Sequence, residues 1–275
     1  MATGSKTALY FYHQNPAEKP PLWDELRVWV GAQSLGWALY RGSVAERISF
    51  RWTEPEAPSW SERERLAQLD NEHFWTERCA RAVWLCAQSA PTLFPAQIDP
   101  PNALEALFGF SHPLNPTDRV HTLPWPDHAN LQLVWANGSA IEDRATSLQA
   151  RETQWLNPLA YLTLNEGTED PKRAEHLWVY AQSGCIDVLL YGAGRPVLLN
   201  RFEAQTPEEA LYYALQAGQT SGWNPGIHGL TLSGPLSRNV DWRKAFQTFV
   251  RDCRWSEDPN EKEQYARLFH LANLD

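Results

Sequence analysis

The sequence is poor in cysteine, with only Cys79, Cys86, Cys185 and Cys253 among 275 residues. None of the four forms a Cys-x-x-Cys pair, and no histidine lies at metal-ligand spacing from them. These absences exclude a zinc ribbon or finger and a disulfide-stabilised secreted scaffold. We therefore expect reduced thiols, no metal site and a cytoplasmic protein.

The chain also lacks an excess of positive charge and long apolar runs. Its 33 Asp and Glu outnumber 24 Lys and Arg, which gives a net charge of -9 and argues against a nucleic-acid partner. The charge-free residues 28–40 are too few for a membrane span, which needs about 20 apolar residues. Residues 1–20 contain no apolar segment of the kind that a signal peptide needs.

Common catalytic motifs are absent as well. The sequence has no G-x-S-x-G nucleophile elbow, no G-x-x-x-x-G-K-[ST] phosphate loop and no H-E-x-x-H zinc motif. His121 and His128 flank a proline-containing segment at a spacing that matches no recognised metal-ligand pattern. We expect both histidines to be solvated loop residues.

What the sequence does contain is a phrase that recurs three times. Residues 28–34 read VWVGAQS, residues 83–89 read VWLCAQS and residues 177–183 read LWVYAQS. Each copy predicts a strand that ends in a small polar turn. The first and third copies are each followed by a second apolar strand, a glycine turn and a third strand, at residues 46–52 and 195–202. Two such meanders about 150 residues apart indicate a duplicated lobe.

A helix with a start signal follows each meander. Ser59 with Glu62, and Thr206 with Glu209, fit the capping-box pattern. Further strands at residues 81–87 and 228–232 should pair in parallel with the meanders, because a helical crossover leads to a parallel partner.

The remaining segments predict an enlarged first lobe and a short end to the second. A proline-rich passage at residues 91–116 and strands at 120–123 and 131–136 indicate an insertion, and the polar segment 165–173 indicates a lobe boundary. We assign residues 1–165 to the first lobe and 166–275 to the second. A helix at 240–248, a strand at 249–255 and a closing helix at 260–271 complete the prediction. The fourteen tryptophans are scattered, which favours core and inter-lobe packing.

Two copies of strand, turn, strand and strand, followed by a helix and a strand, resemble the repeating unit of actin-like ATPases. Residues 179–201 resemble the second phosphate loop of pilus-assembly actin-like proteins, with Ile186-Asp187 and Gly194-Arg195-Pro196-Val197 in its later positions. Residues 201–213, 230–234 and 268–274 resemble a bacterial family, domain of unknown function 3822. These resemblances imply an α/β, two-lobed actin-like (ribonuclease H-like) fold with duplicated mixed-sheet lobes.

The resemblance also implies a nucleotide cleft with two Asp-x-Gly loops, whose carboxylates organise a metal ion. This chain has no acid between Arg27 and Ala45, where Trp29 or Gly31 takes the place of the first Asp, and Tyr180 takes the place of the second. The Gly-Gly turn that supports adenosine in active relatives is replaced by Ser233-Gly234-Pro235-Leu236. If a nucleotide binds at all, the resemblance leaves as its contacts Ser34, Gly36, Ser183, Gly184, Asp187, Ser233 and Gly234. Asp187 is either a residual metal or water ligand or, as we expect, a solvent-facing strand acid.

Three functions are compatible with these features. We expect a non-catalytic actin-like protein that binds another protein as a scaffold module and uses no cofactor. The alternative is a nucleotide-binding switch or kinase-like ATPase that uses ATP and Mg²⁺ with a non-standard metal site, drawn from acids such as Asp187 or Asp99. A second alternative is a small-molecule sensor that uses an inter-lobe cleft lined by tryptophans.

Overall fold

The structure is a computed structural model that describes residues 7–13, 23–41, 46–55, 61–71, 79–98, 103–125, 128–160 and 175–255. The strands, in chain order, are β1 (Thr7–His13), β2 (Glu25–Gly31), β3 (Leu35–Arg41), β4 (Glu46–Pro55), β5 (Cys79–Ala87), β6 (Thr92–Pro95), β7 (Arg119–Trp125), β8 (His128–Asn137), β9 (Ala150–Leu156), β10 (His176–Gln182), β11 (Cys185–Gly192), β12 (Arg195–Glu203), β13 (Gly229–Ser233) and β14 (Asp252–Trp255). The α-helices are α1 (Glu62–Ala67), α2 (Ala103–Ser111), α3 (Ser139–Ser147), α4 (Pro207–Thr220) and α5 (Val240–Phe249). Short 3-10 helices follow at Gln68–Asn71 and Pro235–Arg238.

The two main sheets repeat one strand order, which confirms the predicted duplication. The first sheet runs β1-β4-β3-β2-β5-β9 and the second runs β12-β11-β10-β13-β14. In both sheets the meander is antiparallel, and the strands reached through helices pair in parallel. Strand β9 of the first sheet was not predicted, although it corresponds to β14 of the second. We call the first sheet with α1 to α3 and the β6-β8-β7 sheet the first lobe, and the second sheet with α4 and α5 the second lobe.

The predicted insertion forms a small third sheet with the order β6-β8-β7. Strands β7 and β8 cover the predicted strands at residues 120–123 and 131–136. The proline-rich passage also contains β6 and α2, which were not predicted because prolines usually indicate loops. Comparison of the lobes shows where the insertion begins and ends, since the second lobe passes from β13 to α5 and β14 without such a sheet.

Helix α1 begins later than the sequence suggested. Its N-cap is Ser61, whose Oγ accepts a hydrogen bond from the Glu64 backbone N–H, and Glu64 completes the capping box. The predicted pairing of Ser59 with Glu62 is wrong, because residues 59–62 and 61–64 both fit the pattern and the helix uses the second. The predicted box of Thr206 with Glu209 is confirmed at α4.

Three predictions fall on residues outside the described ranges. The candidate acid Asp99 lies within residues 99–102, the boundary segment 165–173 within residues 161–174, and the closing helix 260–271 within residues 256–275. The division at residue 165 therefore stays a prediction.

The hydrophobic core is continuous between the lobes. One core cluster contains the first sheet together with five buried side chains from one face of the second sheet: Trp178, Tyr180, Leu189, Tyr191 and Leu199. The opposite face of the second sheet packs against α4 and α5 in a cluster of its own. Among the residues whose burial is described, nine tryptophans are buried, as predicted from their scatter along the chain. The second lobe therefore packs on the first through a buried, largely aromatic face.

Candidate functional site

The two hairpin turns that correspond to phosphate loops lie against each other. The first turn joins β2 to β3, and the second joins β10 to β11. Gln182 Oε1 accepts a hydrogen bond from the Ala32 backbone N–H at 3.4 Å. A methyl group added at Gly184 would lie 3.5 Å from Cγ of Gln33, so the tips of the two turns are in contact as well.

All three Ala-Gln-Ser turns meet at this place. Strands β2 and β5 are parallel neighbours with Gly31 opposite Ala87, so their turns leave the sheet side by side. The third turn, after β10, reaches the first through Gln182. Carboxyl ends of strands are where open α/β sheets bind ligands. In this protein, carboxamide and hydroxyl groups occupy that position.

The first turn fills its own interior. Nε1–H of Trp29 donates to Ser34 Oγ at 3.0 Å, and both side chains are buried. A Cβ atom at Gly31 would clash with Ser34 Oγ and lie 3.1 Å from Gln182 Oε1, so a side chain there would displace Ser34. Ser34 is thus already engaged with Trp29. Gly36 lies inside β3, paired with Trp29 of β2 and Trp52 of β4, and not in the turn.

Asp187 is buried and paired, and the expectation that it faces solvent is wrong. Its side chain is 2% exposed, and Arg201 donates to both of its oxygens, from Nε to Oδ1 and from Nη2 to Oδ2, each at 2.7 Å. Burial raises the pKa of the Asp187 carboxyl, while the guanidinium beside it opposes that rise. Burial would lower the pKa of Arg201, but the Asp187 carboxylate raises it. The Asp187 carboxylate is therefore neutralised by Arg201 within the protein.

Arg201 was not identified from the sequence as part of this site. It lies directly opposite Asp187 in the antiparallel β11–β12 pair, 14 residues away along the chain. The register of the meander was the signal that could have identified it, since residues opposite each other share one face of the sheet.

The third element of the site is closely packed against β10. Gly234 has φ 86° and ψ 176°, a conformation that side chains rarely adopt. A Cβ atom there would lie 2.5 Å from the Ala181 carbonyl oxygen. Ser233 is buried, and its hydroxyl donates a long hydrogen bond of 3.5 Å to the Val179 carbonyl. Ser183 and Gly184 are half-buried in the β10–β11 turn.

These side chains do not match the donor set of a magnesium nucleotide. Mg²⁺ needs carboxylate or phosphate oxygens in octahedral geometry. The positions of the two loop acids hold buried Trp29 or Gly31 and buried Tyr180, and Asp187 is committed to Arg201. Across the described ranges, no three His, Cys, Asp or Glu side chains cluster in a way that could hold a metal ion.

The cysteine thiols and His121 are also poorly suited to catalysis. The four cysteines are free thiols. Burial raises the pKa of Cys185 to about 12 and of Cys79 and Cys253 to about 11, so their thiolates are scarce at neutral pH. The expectation that His121 and His128 are solvated loop residues is wrong, since half-buried His128 is the first residue of β8. His121 is also half-buried in a strand. It belongs to β7, and its Nε2 lies 2.7 Å from Glu142 Oε1.

A groove of about 620 Å³ lies between the lobes, away from the turns. It is lined by residues 128–131 at the start of β8 and by residues 195–197 at the start of β12. The described residues that line it include no tryptophan, unlike the cleft that the sequence suggested for a sensor. Beside the groove, Nε1–H of buried Trp125 donates to the Tyr191 hydroxyl at 2.9 Å, so a hydrogen bond joins the lobes.

The family of the chain follows from a match over most of its length. Residues 53–253 match the family model described as Protein of unknown function (DUF3822). The chain belongs to this family. Among curated proteins none matches it.

Two solved structures show which fold this DUF3822 member adopts. A Bacteroides thetaiotaomicron VPI-5482 protein with actin-like ATPase fold and unknown function is 16% identical, with a TM-score of 0.70 over 88% of this chain and 95% of that one. The PilM-PilN type IV pilus biogenesis complex contains a chain that is 13% identical, with a TM-score of 0.59 over 93% of this chain and 100% of that one. At these identities the likeness concerns the fold alone, and the fold is actin-like, as predicted. Within the described residues, no helix has the length and apolarity to cross a membrane.

Proposed function

We propose that this protein is a non-catalytic member of the actin-like superfold that binds a protein partner as a rigid scaffold. One observation carries the proposal: Gln182 joins the two turns between which an actin-like ATPase holds its phosphates. In such enzymes nucleotide phosphates and a metal ion bridge the lobes. Here a carboxamide and a backbone amide form the bridge.

The shared core supports the same proposal. A clamp that opens and closes around a ligand needs lobes that separate at low cost. Five side chains of the second sheet are buried in the core of the first lobe, and exposing them would cost roughly 1.5–3 kcal/mol for each large apolar side chain. The lobes should therefore behave as one unit with or without a ligand.

A rigid surface of this kind is suited to binding a protein partner. One structural neighbour is a chain of the PilM-PilN complex, so this fold is found in an assembly with another protein. The alternative, a nucleotide-binding switch or kinase-like ATPase, would need Asp187 to leave Arg201 before it could bind a metal ion.

Thermal unfolding with and without millimolar ATP, ADP and Mg²⁺ tests the proposal. A ligand at about 100 times its Kd adds about 2.7 kcal/mol of stability, which at about 2–4 °C per kcal/mol raises Tm by roughly 5–10 °C. We expect a change below about 1 °C with every nucleotide, because the donor set for magnesium is missing. An actin-like ATPase with both acidic loops is the positive control.

The second arm of the experiment concerns the partner. Partner capture from lysate should be the same with and without nucleotide, and Ser183→Ala and Ser233→Ala should leave it unchanged. A rise of several degrees in Tm with Mg-ATP, abolished by Asp187→Asn, would contradict the scaffold proposal and establish the switch.

A further inference from the structure

We propose that the groove between β8 and β12 binds an extended, acidic peptide segment of a partner protein. This inference rests on the proposed function and adds to it the place and the chemistry of the partner. At about 620 Å³ the groove has the size of sites that enclose a short peptide or a small ligand.

The positive charge of Arg195 selects an acidic occupant. Arg195 lies on one wall and His128 on the other, and the described residues that line the groove include no carboxylate. Within the described part of the chain, neither side chain has an ion-pair or hydrogen-bond partner, whereas Arg27, Arg144 and Arg201 are each paired with an acid. An unpaired guanidinium offers a carboxylate two parallel N–H donors.

The overall charge makes this local feature selective. A protein with a net charge of -9 repels an acidic ligand over most of its surface, so encounter is favoured only where positive charge is exposed. Arg195 is exposed at the mouth of the groove. The partner segment should therefore bind with a strong dependence on ionic strength.

The backbone beside the groove favours an extended segment. Strand β12 is the edge of the five-stranded sheet, and an edge strand has a row of unpaired N–H and C=O groups. Pro196 has no N–H, and the register shift between Leu190 and Tyr191 places Val197 in a β-bulge, so a bound segment would pair with β12 beyond these two residues while Val197, 47% exposed, stays available for side-chain contact. Addition of a strand to such an edge is a recurring mode of peptide recognition, in which alternate side chains enter pockets. Val197 and Leu131 supply apolar contacts for those side chains.

Fluorescence anisotropy with labelled hexapeptides tests the assignment on the full chain. One probe alternates valine with glutamate, and its match alternates valine with lysine. We expect the glutamate peptide to bind and Arg195→Glu to weaken it at least tenfold. Arg151→Glu, which makes the same change of charge at an exposed position of β9, should alter affinity less than twofold. The lysine peptide should prefer the Arg195→Glu variant to the wild type.

Several results would overturn the assignment. Equal binding of the glutamate and lysine peptides, or equal losses with the two arginine variants, would remove Arg195 as the recognition element. Saturable binding of succinate with the same dependence on Arg195, without gain from the peptide, would make the groove a small-anion site. If a partner is captured without nucleotide and Arg195→Glu has no effect on it, the groove assignment fails while the scaffold proposal stands. A Tm increase with Mg-ATP would instead remove the scaffold proposal.

Discussion

The buried pair of Asp187 and Arg201 should stabilise the fold and take no part in ligand binding. Asp187 and Arg201 side chains are 2% and 8% exposed, so replacing Asp187 with leucine leaves a guanidinium without its counter-charge inside the protein. Removing one partner of such a pair costs about 3–5 kcal/mol, which corresponds to a Tm lower by roughly 6–20 °C at about 2–4 °C per kcal/mol. Differential scanning calorimetry of Asp187→Leu and Arg201→Met measures both changes.

The double variant separates a structural pair from a ligand site. Replacing both members with apolar residues removes the uncompensated charge, so the double variant should recover most of the loss, with a coupling energy above about 1 kcal/mol. Arg254→Met is the matched control, because the Arg254–Asp252 pair is largely exposed and should contribute less than about 1 kcal/mol. A Tm change below about 3 °C for Asp187→Leu, or a double variant no more stable than the weaker single variant, would refute the reasoning.

Two further predictions concern stability. Burial lowers the pKa of His176 from 6.5 to about 4, so the unfolded chain binds a proton at a higher pH than the folded chain does. The free energy of unfolding should therefore fall by up to about 3 kcal/mol as pH drops from 6.5 to about 4. Urea unfolding across this pH range measures the fall, and His176→Gln should reduce it; an unchanged pH dependence in this variant would contradict the assignment to His176. Gly234→Ala should lower stability by more than about 2 kcal/mol, because it adds a backbone clash with Ala181 to an unfavourable φ. Gly222 has φ 91° and no atom within 4 Å of an added Cβ, so Gly222→Ala should lower stability only by the cost of the unfavourable φ. Equal losses of stability in the two variants would show that the clash at Gly234 is absent.

Much of the fold was readable from local patterns. The three Ala-Gln-Ser phrases mark the ends of β2, β5 and β10, since an apolar strand followed by small polar residues is a signal that lies within a few positions. The start of α4 was also correct, because the capping box depends only on residues 206–209. The start of α1 was missed by two residues, since two overlapping patterns fit and local sequence could not choose between them.

The candidate site was predicted less well. Gly36 was named as a possible nucleotide contact, but it lies within β3, opposite Trp29 of β2. Asp187 was expected in solvent, although it is buried, because its environment depends on Arg201 in the next strand. The groove joins residues 128–131 and 195–197, which no pattern in the sequence connects.

By itself the sequence determined the duplicated meanders and the absence of acids from both turns, because periodicity and residue type are local properties of the chain. Only the tertiary structure decided that Gln182 reaches Ala32, that Arg201 neutralises Asp187 and that the second sheet is buried in the core of the first lobe. Each of these contacts joins residues that are distant in the chain or lie in different strands. Their energies depend on burial and register, which are set only when the sheets have packed.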